Sequence, residues 1–116
     1  MLIHKMHKPI GGYLFGFDDF SIVIQDRYIP LIIKYCTENM DEEADVDVKL
    51  INYQTSVNGN FPVNDFDNAT VEFHFVQKDG TKIVLPVMPY IKMVLSDKLE
   101  EYTASIKVSW ILKIIA

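Results

Sequence analysis

The chain has 116 residues, 49% of them apolar and 23% charged, which is the composition of an ordinary globular domain rather than of a disordered or fibrous protein. That length suits a single domain over 1–116 with a hydrophobic core of its own. Eleven Lys and Arg against sixteen Asp and Glu give a net charge of −5, and the only arginine is Arg27, so direct nucleic-acid binding, which leans on Arg forks and positive patches, is not expected.

Leu2 to Lys8 reads as a strand, and the segment Met1–Lys8 lacks the apolar stretch of a secretory signal because His4, Lys5, His7 and Lys8 interrupt it. Gly11 and Gly12 break the chain. Tyr13–Phe17 and Phe20–Ile24 then form two strands around Asp18 and Asp19. Ile29, Ile32, Ile33, Cys36 and Met40 fall at helical spacing, and Pro30 suits a first turn, where its missing N–H costs nothing. Val46–Leu50 alternates as a strand continuing to about Gln54, and Thr55–Asn68, with Asn58-Gly59-Asn60 and Pro62, reads as a loop.

A hairpin follows: Val71, Phe73 and Phe75 point inward on one strand, Lys78-Asp79-Gly80 supplies the turn, and Lys82–Leu85 returns. Ile91, Val94, Leu95, Leu99 and Tyr102 repeat the helical stripe, with Pro89 ahead of them, and predict a second helix. From Tyr102 the apolar residues alternate through Ala104, Ile106, Val108, Trp110, Leu112 and Ile114, predicting a long final strand with Trp110 buried. The order β-β-β-α-β-β-β-α-β, rich in hairpins, predicts an α+β fold: a mainly antiparallel sheet with two helices packed on one face. No run reaches the roughly 20 apolar residues of a membrane helix, and one cysteine excludes an intramolecular disulfide, so a soluble, cytoplasmic protein is expected.

The residues of a catalytic constellation do not assemble along the chain. His4 and His7 share a face only on a helix, and on a strand their spacing separates them, which argues against a shared metal. His74 falls on the polar face of its strand with Thr70 and Glu72. Cys36 sits in the apolar stripe of the first helix, where a thiol is a small hydrophobe rather than a nucleophile. The sequence has no P-loop, dinucleotide-binding glycine motif, H-E-x-x-H, C-x-x-C or G-x-S-x-G. No catalytic residue, cofactor or metal ligand is therefore assigned, and the expectation is a protein that is not an enzyme.

Charge is the strongest non-random feature. Glu38, Asp41, Glu42, Glu43, Asp45 and Asp47 fall within eleven residues, and no base stands between Lys34 and Lys49. An EF-hand is excluded by spacing, by the missing central glycine and by the missing final glutamate. The cluster reads either as a solvated loop or as a negative surface for a basic partner. The leading expectation is a non-catalytic protein-binding domain that neutralises a basic protein such as a toxin or nuclease, as toxin-immunity proteins and phage-encoded inhibitors do, through these six acids. The alternative is a small-ligand-binding protein or enzyme on a cone-like α+β scaffold, with Tyr13, Phe15, Phe17, Phe73 and Phe75 around an apolar pocket. Trp110–Ala116, apolar on both faces of a strand, adds the expectation of a homodimer through the C-terminal strand.

Overall fold

The alternating faces predicted for Val46–Leu50 and Val71–Phe75 become walls of the core. The computed structural model describes residues 2–7, 11–58, 61–94 and 101–115, with side chains described outside 52–58, 61–69 and 91–94. The strands β1 (Leu2–Met6), β2 (Gly12–Gly16), β3 (Phe20–Gln25) and β7 (Ile91–Val94) form one antiparallel sheet in the order β1-β2-β3-β7. The strands β4 (Asp45–Asn58), β5 (Phe61–Val76), β6 (Lys82–Val87) and β8 (Glu101–Lys107) form a second in the order β6-β5-β4-β8. A 3₁₀ turn at Asp26–Tyr28 leads into α1 (Ile29–Thr37), and α2 (Val108–Ile115) follows β8. The fold is α+β with antiparallel strands, as predicted, but the strands divide between two sheets.

The two sheets meet through their apolar faces. Phe15 of β2 sets its ring edge-on to Phe73 of β5 at 5.7 Å, and Phe20 of β3 lies 6.2 Å from Tyr102 of β8. The alternation reads out as predicted: Val46, Val48 and Leu50 on β4 and Val71, Phe73 and Phe75 on β5 are buried, and both sets join one core cluster with Phe15, Ile22 and Ile24. The stripe of α1 buries Ile29, Ile32 and Cys36, and Tyr35 reaches Phe75 at 5.3 Å. The two helices lie against each other and close this end of the core.

Burial of Cys36 pushes its thiol up to about 12. The thiolate is the reactive form, so the native protein should resist thiol reagents at pH 8 and react fully once unfolded. Labelling with an aromatic disulfide reagent in buffer and in denaturant checks this expectation. Because the unfolded thiol ionises near its ordinary value, this group adds stability that is fully present below about pH 9 and is lost as pH rises towards 12.

Three predicted elements change. The predicted second helix contains β7 over Ile91–Val94 and the start of β8 at Glu101; residues 95–100 of it lie outside the described residues. The predicted loop Thr55–Asn68 is mostly strand: β4 runs to Asn58 and β5 starts at Phe61, pairing Val57 with Pro62 and Gln54 with Asn64 across two irregularities. The predicted final strand ends at Lys107 and continues as α2, on which Val108, Ile111 and Ile115 are buried while Trp110 is half exposed. The apolar stretch that suggested pairing of a C-terminal strand with a second copy is therefore a helix, and its buried side is used within the chain.

Candidate functional site: an acidic corner and the adjoining cleft

Between α1 and β4 the chain alternates anchors with acids. Met40 is buried, Ala44 packs against the core, and Val46 begins the buried face of β4. Asn39 takes a positive φ of 57° directly after the helix C-cap, a conformation that asparagine tolerates better than most residues. Two neighbouring elements then fix the loop backbone through three hydrogen bonds. Lys78 N–H donates to the Asn39 carbonyl at 2.8 Å, and at the start of α2 the N–H groups of Val108 and Ser109 donate to the carbonyls of Ala44 and Glu42 at 2.9 Å. The residues left to face outward are Glu38, Asp41, Glu42, Glu43 and Asp45, all exposed, with Asp47 half-buried on the outer face of β4.

The fold brings in two bases that are remote in sequence. Lys78, on the turn between β5 and β6, lies 3.4 Å from Asp41, and Lys107, at the end of β8, lies 3.8 Å from both Glu43 and Asp45. Lys34 and Lys49, the nearest bases in sequence, are not the ones that pair with the cluster: Lys49 instead pairs with Glu101 at 3.4 Å. Six carboxylates thus face two lysines, and the corner keeps an excess of negative charge. These pairs are solvent-exposed, with Glu43 82% accessible, so each contributes little to stability.

Asp47 links this corner to the outer face of the second sheet. The register sets Asp47 opposite His74 on one side and Ser105 on the other. The Ser105 hydroxyl donates to Asp47 Oδ1 at 2.6 Å, whereas His74 turns along its own strand, with Nε2 3.1 Å from Glu72 Oε1. A serine, an aspartate and a histidine stand in one row, but the carboxylate is in the middle and holds the serine directly. No imidazole reaches the hydroxyl to activate it, so the order is wrong for a nucleophilic triad. His4 is exposed on β1 and His7 lies beyond its end. Among the described residues, no three His, Cys, Asp or Glu side chains gather as a metal set.

Next to Ser105 lies a cleft of about 230 Å³ between the turn joining β2 to β3 and the middle of β8. The turn is held by Phe17 N–H donating to the Phe20 carbonyl at 2.9 Å, which leaves Asp18 and Asp19 exposed at its tip. Thr103, Ala104 and Ser105 form the opposite wall. Sequence reading passed over Asp18 and Asp19 as turn residues, and over Ser105 as one polar position of a strand. The pairing of β8 with β4 is what sets Ser105 beside Asp47. The aromatic residues suggested for a ligand pocket mostly fill the core instead: Phe15, Phe73 and Phe75 are fully buried, and of that set only Phe17 reaches the cleft.

Comparison of the chain with protein-family models, with curated proteins and with solved structures finds no match. No helix among the described residues is long and apolar enough to cross a membrane.

Proposed function

We propose that this domain is a non-catalytic binding protein whose acidic corner engages a basic protein in the cytoplasm, in the manner of a toxin-immunity protein or a phage-encoded inhibitor. One observation carries the reading. Glu38, Asp41, Glu42, Glu43 and Asp45 are displayed on a backbone held by hydrogen bonds from two neighbouring elements, with two lysines set against them and Asp47. A rigid negative surface steers a positive partner and raises its association rate by one to three orders of magnitude at low salt. The alternative of a small-ligand protein or enzyme draws support from the His74–Glu72 pair. That pair does not line the cleft, and about 230 Å³ is below the roughly 300–1,000 Å³ usual for small-molecule and cofactor sites.

The test reverses Glu42, Glu43 and Asp45 together to Lys. Two exposed ion pairs to Lys107 are lost, so stability should fall by no more than about 1 kcal/mol. Used as baits against lysate of the source cell, the native chain should retain a basic protein that high salt releases, and the triple variant should not retain it. Equal retention by both baits would remove the corner from the interface.

A further inference from the structure

We infer that the outer edge of β8 joins a second copy of this chain, so that the β6-β5-β4-β8 sheets of the two copies become one continuous antiparallel sheet across a two-fold axis. The joint lies at Glu101–Lys107, ahead of the apolar residues that the sequence suggested for it. It is independent of the basic partner proposed above.

Backbone geometry supplies the first argument. Val108 N–H donates to the Ala44 carbonyl at 2.9 Å. Hydrogen-bonded pairs alternate along an antiparallel ladder, so Ile106, Ala104 and Tyr102 turn their N–H and C=O groups to Val46, Val48 and Leu50 of β4. Those of Glu101, Thr103, Ser105 and Lys107 point away from the sheet. Among the described residues no strand pairs with β8 on that side, and these four residues are exposed. The other edge of the sheet is blunted. Gln77 N–H donates to the Thr81 carbonyl at 2.8 Å, and the same alternation turns Lys82, Val84 and Pro86 of β6 outward. Pro86 has no N–H to offer there, a device of strands that stay unpaired. β8 contains neither proline nor glycine.

Charge complementarity names the occupant. Pairing about a two-fold axis at Ala104 sets Glu101 against Lys107 of the partner subunit, Tyr102 against Ile106 of the partner subunit and Thr103 against Ser105 of the partner subunit. Opposite charges, an aromatic with a β-branched residue, and two hydroxyl residues are all favourable cross-strand pairs. Registers two residues to either side set Glu101 against Ser105 or Thr103 against Lys107, and both lose the charge pairs. Within one chain Lys107 lies 3.8 Å from Asp45, and Glu101 lies 3.4 Å from Lys49. The joint continues this alternation of sign, from Asp45 through Lys107 to Glu101 of the partner subunit and Lys49 of the partner subunit. Antiparallel pairing also keeps the two acidic corners at opposite ends of the joint, about 20 Å apart, beyond the Debye length of about 8 Å at physiological salt.

Sedimentation equilibrium of the full chain from about 5 μM to about 1 mM tests this inference, with the native chain expected to shift from monomer towards dimer mass across that range. Glu101→Lys and Lys107→Glu each set like charges against each other at both ends of the joint, so each variant should dimerise at least about tenfold more weakly. An equimolar mixture of the two variants should recover the native tendency, because opposite charges then meet at both ends. Thr103→Pro removes an outward N–H and no ladder bond to β4, so it should abolish the dimer while circular dichroism stays native. The charge series decides on its own if the proline variant does not fold. A native chain still monomeric at the highest concentration would overturn the joint and leave this edge to a strand of a different protein. A dimer indifferent to the reversals or to a folded proline variant, or a mixture no stronger than its components, would overturn it as well.

Discussion

In urea denaturation Phe73→Ala is expected to lower the stability of the domain by about 3–5 kcal/mol, with little change in the denaturant slope. Phe73 is fully buried on β5, an interior strand of the second sheet, and its ring is where the two sheets meet: the edge contact with Phe15 at 5.7 Å crosses between them, and Phe75 stacks alongside at 6.4 Å. Removing the ring takes away apolar burial and leaves a cavity whose walls belong to β-sheets on both sides. Hydrogen-bonded sheets cannot collapse into such a gap as readily as a loop can, so the cost should fall in the range for fully buried aromatics. A loss below about 1 kcal/mol would mean that the sheets do not pack through this ring.

Gly12→Ala is expected to cost about 2–3 kcal/mol. A Cβ built on Gly12 would stand 2.3 Å from the carbonyl oxygen of Ile24 and 3.1 Å from its carbon, both backbone atoms of the neighbouring strand β3. A side chain in that place could rotate aside, but a strand held in register with β2 cannot. Alanine also lowers the entropy of the unfolded chain, which favours folding by about 0.4–1 kcal/mol, and the clash outweighs that gain. Gly16→Ala is the control. Its nearest new neighbour would be Leu2 Cβ at 3.6 Å, an ordinary contact, so this variant should unfold close to the native midpoint in the same denaturant series.

Those two residues mark how far the sequence carried the fold. Strand faces were legible wherever burial alternates cleanly, because a period of two admits only one inward set: Val46, Val48 and Leu50, then Val71, Phe73 and Phe75. The turn at Asp79–Gly80 was legible from local chemistry. Gly80 takes φ of +86°, and Thr81 N–H donates to the Asp79 carboxylate at 2.9 Å, which holds that carboxyl below its ordinary range. Val108–Ile115 was misread because its apolar residues satisfy both periods. Val108, Trp110, Leu112 and Ile114 alternate, while Val108, Ile111 and Ile115 form a helical stripe. Tertiary context decides between them. The loop carbonyls of Glu42 and Ala44 take the first N–H groups of the helix, and α1 offers a surface for its stripe. The failure at Thr55–Asn68 has a different cause. Turn-forming residues were read as a loop, but a two-stranded ribbon can carry them where each strand pairs only with the other.

The candidate site was legible as a run of acids and not as a surface. Exposure of Glu38, Asp41, Glu42, Glu43 and Asp45 follows from their spacing around Met40, Ala44 and Val46. Their partial neutralisation does not, because Lys78 and Lys107 arrive from a hairpin turn and a strand far along the chain. That Asp18 and Asp19 share a cleft with Thr103 and Ser105 is equally a product of tertiary packing, which composition and periodicity do not encode.

The proposed role stands or falls on electrostatic steering through the acidic corner. Stopped-flow association of the native chain with the captured basic partner, measured from about 50 to 500 mM salt, tests it most directly, because steering by exposed charges is screened over a Debye length of about 10 Å at 0.1 M. The on-rate of the native chain should fall at least about tenfold across that range, and the Glu42→Lys/Glu43→Lys/Asp45→Lys variant should associate slowly at low salt with little or reversed salt dependence. An on-rate indifferent to salt, or equal for the native chain and the variant, would contradict the account.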